Sequence, residues 1–188
     1  MDLQRIEIKF YIENKESISP DDAFRIFNAW IPVISDEVLV DVADYSHVPD
    51  GPYTLLVGHD HNYALDDTDR QLGLYCASKH EDGLDPSAQI SSVVSKTLQA
   101  CRRLESESRV RFRGNELLLT INDRLNAPNT ESTATNVEPH VRTVASKLFA
   151  EADISIERDS SPKQRFNMRI KTDSTFDIST LLTNINGG

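Results

Sequence analysis

The chain has 188 residues, of which 38% are hydrophobic and 27% charged, and its formal net charge is −10. This length suits one sizeable hydrophobic core, and the hydrophobic content is ordinary for a globular protein. The acidic balance argues against general binding to nucleic acids or anionic membranes, and no segment reaches the roughly 20 apolar residues of a membrane helix.

The charges are distributed unevenly along the chain. Residues 1–94 carry 18 acidic and 6 basic side chains, a balance of −12, whereas residues 95–188 carry 12 acidic and 14 basic side chains, a balance of +2. Two interpretations are open: an acidic half that packs beside a more basic half, or a basic face directed at an anionic partner.

The cysteines indicate the cellular compartment. Cys76 and Cys101 stand singly, without Cys-x-x-Cys spacing, so a disulfide framework is not expected. The N-terminal residues alternate like a strand and contain no apolar export signal. The sequence therefore predicts a cytoplasmic protein in which both cysteines are structural.

The first elements are a strand and a helix. Apolar residues occupy every second position of the predicted strand, at Ile6, Ile8, Phe10 and Ile12. A helix is predicted to begin at Ser19, because serine can cap it and Pro20 suits the first helical position. Aromatic residues at helical spacing continue this helix until Pro32 ends it.

The next predicted element is a hairpin over residues 40–67, with a turn at Asp50-Gly51 between two apolar runs. Such a turn would place Asp44 opposite Val57. After a polar loop around residues 78–86, a second amphipathic helix is predicted over residues 87–106.

The second half of the chain repeats this order. A hairpin is predicted over residues 109–121, with its turn at Gly114-Asn115, followed by a helix that carries Val137, Val141 and Val144. Two strands then complete the fold. We therefore predict an α+β protein, a mostly antiparallel sheet built from hairpins with about three amphipathic helices on one face. A single domain would span residues 1–172, and residues 173–188 would form a polar tail that should fray unless it packs on something.

A cluster of histidines suggests one candidate site. In the predicted hairpin His59 and His61 project from the same side of one strand, roughly 6 to 7 Å apart. Asp44 would lie diagonally beside His59, as a third ligand or as a base. These residues could hold a divalent metal such as zinc with an open position for water. The simpler interpretation is a strand that leaves the core after Val57 and continues as a solvent-exposed loop.

Basic residues on the outer faces of predicted strands suggest a second candidate site. In the hairpin at 109–121, Arg109, Arg111 and Arg113 would form a row, and Arg169 occupies a similar position on a later strand. Either these arginines form cross-strand charge pairs on a solvated sheet, or they dock an acidic surface of another protein. RNA is a poorer candidate partner because no exposed aromatic pair accompanies the arginines.

Four local strings add a resemblance. FRIFNAWIP (24–32), VDVADYSHVPDGP (40–52), VGHDHNYALD (57–66) and NDRLNAPNT (122–130) resemble an uncharacterised family of bacterial proteins, over most of the chain. The resemblance implies a single bacterial cytoplasmic domain. It implies no activity, cofactor or catalytic residue.

The functional prediction follows from these patterns. No phosphate-binding glycine loop or nucleophile elbow occurs in the sequence. We therefore expect a non-catalytic accessory or interaction subunit that docks a partner protein, or a second copy of itself, through a charged sheet face. The alternative is a metal-dependent, hydrolase-like enzyme that uses the His-x-His site.

Overall fold

The structure is a computed structural model that describes residues 3–80 and 83–187. Within these ranges eight strands form one antiparallel sheet, and four α-helices pack against it, which confirms the predicted α+β class. The strands are β1 (Ile6–Ile12), β2 (Leu39–Asp44), β3 (Pro52–Gly58), β4 (His61–Asp66), β5 (Gly73–Ser78), β6 (Phe112–Ile121), β7 (Ile154–Glu157) and β8 (Phe166–Thr172). The helices are α1 (Pro20–Trp30), α2 (Pro86–Glu107), α3 (Glu131–Leu148) and α4 (Ile178–Asn186).

The sheet has the strand order β2-β3-β4-β5-β1-β6-β8-β7. Strands β2 to β5 form a meander on one side, and β6 to β8 form the other side. The first strand, β1, therefore lies between the two halves and pairs with both β5 and β6.

All four helices lie on one face of the sheet. Helix α1 packs on β2 and β3, α2 on β1 and β5, and α4 on β6, while α3 packs on α2 and α4. The alternation in β1 explains this arrangement, since Ile6, Ile8 and Phe10 point into the core below the helices. Cys76 and Cys101 are both free and both fully buried in this core.

The predicted hairpin over residues 40–67 is wrong in its extent and its register. This range contains three strands, β2, β3 and β4, and β5 continues them into a four-stranded meander. Asp41, not Asp44, lies opposite Val57. The reason is that the chain already turns after β2, where the amide of Val48 donates to the carbonyl of Tyr45. A bulge between Leu39 and Asp41 shifts the pairing further along.

The predicted hairpin over residues 109–121 is also wrong, because β6 runs through Gly114-Asn115 as one continuous strand of ten residues. Gly114 does not form a turn but allows another segment of the chain to pack closely against the strand. A Cβ added at Gly114 would lie 1.6 Å from the carbonyl oxygen of Phe176. Only a residue without a side chain lets the segment before α4 cross the strand at this distance.

Replacing Gly114 by alanine should therefore lower the free energy of unfolding by about 2 kcal/mol, because the backbone at Phe176 must move away. Urea unfolding of the variant measures this loss. Gly51→Ala is the matched control, since a Cβ added there meets nothing within 4 Å. Equal stabilities of the two alanine variants would contradict the proposed crossing.

The expected polar tail contains a helix. Residues Ile178–Asn186 form α4, which Asp177 caps by accepting a hydrogen bond from the amide of Thr180. Its buried side chains pack against α2 and α3, and they are Ile178, Leu181, Leu182 and Ile185. These residues of the tail therefore pack on the protein, while Gly188, the second residue of the terminal Gly-Gly, lies outside the described residues.

Candidate functional site

The three residues of the predicted metal site do not converge. Asp44 pairs with Thr54 at the start of β3, whereas His59 follows Gly58 at the end of that strand. Residues 54 and 59 are five positions apart, so the backbone at Asp44 lies about 17 Å from the turn that carries His59. In the predicted register Asp44 and His59 would be diagonal neighbours, whereas in the observed register they lie far apart.

Asp44 itself has a local role. Its carboxylate accepts a hydrogen bond from the amide of Ser46 over 2.8 Å and lies exposed at the end of β2. This hydrogen bond holds the pKa of Asp44 below its usual value. A carboxylate with a lowered pKa and full exposure stabilises a turn and is a poor general base.

His61 belongs to a buried network around Glu37, a residue of the loop between α1 and β2. One carboxylate oxygen of Glu37 accepts a hydrogen bond from the amide of His61 over 2.8 Å and lies 3.1 Å from Nδ1 of the His61 ring. The other oxygen accepts a hydrogen bond from the hydroxyl of Tyr63 over 2.7 Å. Glu37 is 8% exposed, so the network ties this loop to β4 away from water.

The electrostatics of Glu37 follow from these contacts. Burial alone would raise the pKa of its carboxyl, but the hydrogen bonds from His61 and Tyr63 outweigh burial and lower it. Glu37 is therefore an ionised, hydrogen-bonded carboxylate inside the fold. Because an ionised carboxylate only accepts hydrogen bonds, Nδ1 of His61 is the donor in its contact with Glu37.

The Glu37 network borders a cleft of about 520 Å³ between α1, α2 and the sheet. Two ion pairs line this cleft: Lys96 with Asp36 at 2.8 Å, and Arg103 with Glu107 at 3.1 Å. The cleft also contains the ring of Trp30, Leu39 and Tyr63. Sequence reasoning missed Glu37 because nothing in the string SDEVL distinguishes it from a solvated acid.

His59 lies in the exposed turn between β3 and β4, apart from His61. Its Nδ1 lies 2.8 Å from a carboxylate oxygen of the neighbouring Asp60. Its ring centroid lies 5.7 Å from that of His80, which follows β5. The structure thus brings His59 together with Asp60 and His80, a grouping that the sequence did not suggest.

The face of the sheet opposite the helices carries a buried ion pair. Lys9 of β1 donates to Asp66 of β4 over 2.5 Å, although β5 lies between the two strands. Gly73 of β5 makes this possible, because a Cβ there would lie 2.8 Å from Cε of Lys9. Lys9 is only 4% exposed and Asp66 6%, so neighbouring side chains shield the pair from water.

Beside this pair, Tyr11 is surrounded by cations. The Nζ atom of Lys9 and the Cζ atoms of Arg113 and Arg169 lie 5.5, 5.8 and 5.0 Å from its ring centroid. Both arginines also pair with Glu116: Nη1 of Arg113 lies 2.9 Å from its Oε1, and Nη1 of Arg169 lies 4.0 Å from its Oε2. Burial raises the pKa of Tyr11 to about 12, with Arg169 as the main opposing influence.

The predicted arginine row is therefore divided. Arg113 and Arg169 fold over Tyr11 on the helix-free face, where Glu116 pairs with both. Arg109 and Arg111 precede β6 and are exposed. The Arg111 guanidinium donates to the carbonyl of Val110 over 2.6 Å. Two of the four residues thus share a surface, and the other two do not belong to the sheet.

Comparisons with known proteins add no relative. No protein-family model matches the chain, and neither a curated protein nor a solved structure matches it. Within residues 3–80 and 83–187, no helix has the length and apolar character required to cross a membrane. The fold and its side chains therefore carry the functional argument alone.

Proposed function

We propose that this chain is a non-catalytic interaction subunit that binds a partner protein through the helix-free face of its sheet. The observation that carries the proposal is the arrangement of layers. Among the described elements all four helices pack on one face, and no helix packs on the other. An uncovered face of a large antiparallel sheet is a surface that a second protein can cover.

The size of this face fits a specific interface. Eight strands spaced about 4.8 Å apart span roughly 34 Å, and strands of six or seven residues are roughly 20 Å long. The face therefore presents about 700 Å². A standard protein–protein interface buries about 800 Å² on each partner, so one partner could engage most of the face.

The composition of the face also favours a protein partner. Half-exposed apolar and aromatic side chains lie on this face, namely Leu55 and Val57 on β3, Tyr75 on β5 and Leu118 on β6. Charged residues flank them and are paired with one another, as in Arg165 with Glu7 at 3.2 Å and Lys171 with Glu157 at 3.7 Å. Apolar and aromatic side chains beside paired charges suit a protein interface, whereas phosphate binding needs cations without such partners.

The charges predict the chemistry of the partner. On the β6–β8 side, Arg113, Arg169 and Lys171 outnumber Glu116 and Glu157. On the β2–β5 side, the exposed Asp41 is acidic. The complementary surface has apolar side chains opposite Leu55, Val57 and Leu118, with acidic residues towards β8 and basic residues towards β2. A second copy of this chain, rotated about β1, is one surface of that kind.

A charge in the centre of the face tests the proposal. Leu118→Glu would place a carboxylate in the proposed interface, and Thr135→Glu makes the same change on the exposed side of α3. Cross-linking in the native cells with quantitative mass spectrometry, and light scattering for self-association, would measure the bound partner. We expect Leu118→Glu to weaken the complex at least tenfold, as changes at interface centres do.

The control defines the outcome that contradicts the proposal. Thr135→Glu should retain the partner at the wild-type level, and both variants should unfold at temperatures close to that of the wild type. Retention of every partner by Leu118→Glu would show that the helix-free face is not the interface. A monomeric wild-type chain that cross-links to no protein would refute the interaction function itself.

A further inference from the structure

We propose that His59, Asp60 and His80 form a binding site for a divalent first-row transition metal of the zinc type. One ligand atom from each residue can be chosen so that all three lie within 4.8 Å of one another. Two ligands on one zinc ion, each bonded at about 2.0–2.2 Å, lie at most about 4.4 Å apart. Small side-chain rotations therefore suffice to bring the three atoms onto one ion.

The backbone around the site is held by the sheet. The amide of His59 donates to the carbonyl of Val38 over 2.7 Å. Lys79 makes two further hydrogen bonds to the turn. Its amide donates to the carbonyl of Asp60 over 2.9 Å, and its Nζ donates to the carbonyl of Gly58 over 2.6 Å. These bonds join the turn between β3 and β4 to the end of β5, where His80 follows.

Gly58 makes this turn tight. A Cβ added there would lie 2.5 Å from the carbonyl oxygen of His61 and 2.9 Å from a carboxylate oxygen of Glu37. The buried Glu37 network thus lies directly behind the turn and restricts its movement. A ligand set on a restrained backbone loses less entropy on binding an ion than the same residues on a flexible loop.

The chemistry of the three side chains selects the metal. Two imidazoles and one carboxylate suit zinc, nickel, cobalt or copper, whereas calcium and magnesium require oxygen ligands throughout. All three residues are exposed, so a fourth coordination position is accessible to water. The exposure also means that the core does not depend on these side chains for its packing.

A simpler interpretation is that the three residues form an ordinary polar turn. Under that interpretation none of them would influence metal binding beyond the effect of any other surface histidine. His47 is a suitable comparison because it is an exposed histidine in the loop between β2 and β3. The two interpretations therefore make opposite predictions for variants at His59 and His80 relative to His47.

The experiment uses the full chain without a polyhistidine tag, freed of metal by a chelator. Titration with Co²⁺ followed by visible absorption, and then displacement by Zn²⁺, should show one equivalent bound to the wild type. His59→Ala and His80→Ala should each weaken binding at least tenfold, and Asp60→Asn should weaken it as well. His47→Ala should bind as the wild type does.

A thermal measurement provides an independent readout. Zn²⁺ should raise the Tm of the wild type by mass action, and this increase should disappear in the double variant His59→Ala, His80→Ala. Because all three ligands are exposed, the metal-free variants should unfold at the wild-type temperature. Stoichiometric binding that survives in the double variant, or no binding by the wild type, would overturn the proposed site.

Discussion

Replacement of Lys9 by alanine is expected to lower the free energy of unfolding by about 3–5 kcal/mol, the largest effect of a single substitution that we predict. The variant would leave the carboxylate of Asp66 buried without its cation. Asp66 would keep only the hydrogen bonds from the amide and the hydroxyl of Thr68, at 3.3 and 2.8 Å. These bonds do not balance a full charge that is 6% exposed.

The cause of that loss can be separated from the value of the pair itself. The double variant Lys9→Met, Asp66→Leu removes both charges and keeps comparable volume, so it should be close to the wild type in stability or above it. Urea unfolding of both variants provides the comparison. A loss below 1 kcal/mol in Lys9→Ala would show that water reaches Asp66 and that the pair is not buried in solution.

Replacement of Glu37 by alanine is expected to cost about 3 kcal/mol. The hydroxyl of Tyr63 and the amide of His61 would lose their acceptor inside the fold, and each buried donor left unpaired costs about 1–3 kcal/mol. The amide signals of residues 35–39 should also lose protection from hydrogen exchange, since Glu37 anchors this loop to β4. Protection equal to that of the wild type would contradict the anchoring role.

The Glu37 network also predicts a dependence on pH. The folded pKa of Glu37 lies below its ordinary value of 4.5, so the unfolded chain binds the proton more readily. Its contribution to stability is therefore complete above 4.5 and is lost as the pH falls through the folded pKa. The difference in unfolding free energy between the wild type and Glu37→Gln should narrow as the pH decreases from about 6 to about 3.

A surface carboxylate provides the comparison for this measurement. Glu138 pairs with Arg142 on the exposed side of α3, so Glu138→Gln should stay within about 0.5 kcal/mol of the wild type at every pH. A gap between the wild type and Glu37→Gln that widens towards acidic pH would show that the Glu37 carboxyl is not stabilised in its ionised form.

Elements with a clear period were predictable from the sequence. The alternation in β1 places its apolar side chains under the helices. Ser19 caps α1 as predicted, since its hydroxyl oxygen accepts a hydrogen bond from the amide of Asp22. Helix α4 was predictable too, because Ile178, Leu181, Leu182 and Ile185 follow the i, i+3, i+4, i+7 pattern behind the capping Asp177. The helix was nevertheless not predicted, because the polar residues between these four make the segment read as a polar tail.

Other elements could not be predicted from local patterns. Strand β4 has four consecutive buried residues at its end, since Ala64 and Asp66 are shielded on the helix-free face. Its apolar residues therefore do not alternate clearly with polar ones. Gly114 resembles a turn residue in its local context, and the reason for it lies 62 positions away at Phe176.

The contacts of the candidate sites depend on the same long-range pairing. Lys9 and Asp66 are 57 positions apart, and Glu37 and His61 are 24 apart. The partner of each charge depends on which strands are neighbours, and the sequence patterns did not establish the strand order. The predicted His59–His61–Asp44 site failed for this reason, because a change of three residues in register moved Asp44 to the opposite end of the strand.

The central position of β1 has a consequence for biosynthesis. This strand is synthesised before the other seven described strands, yet one of its neighbours, β6, ends only at Ile121. Strands β1 to β5 can assemble early, and β1 then presents an unpaired, apolar edge until β6 is available. A nascent chain that ends between β5 and β6 would therefore expose one edge of β1, with which a strand of another chain could pair.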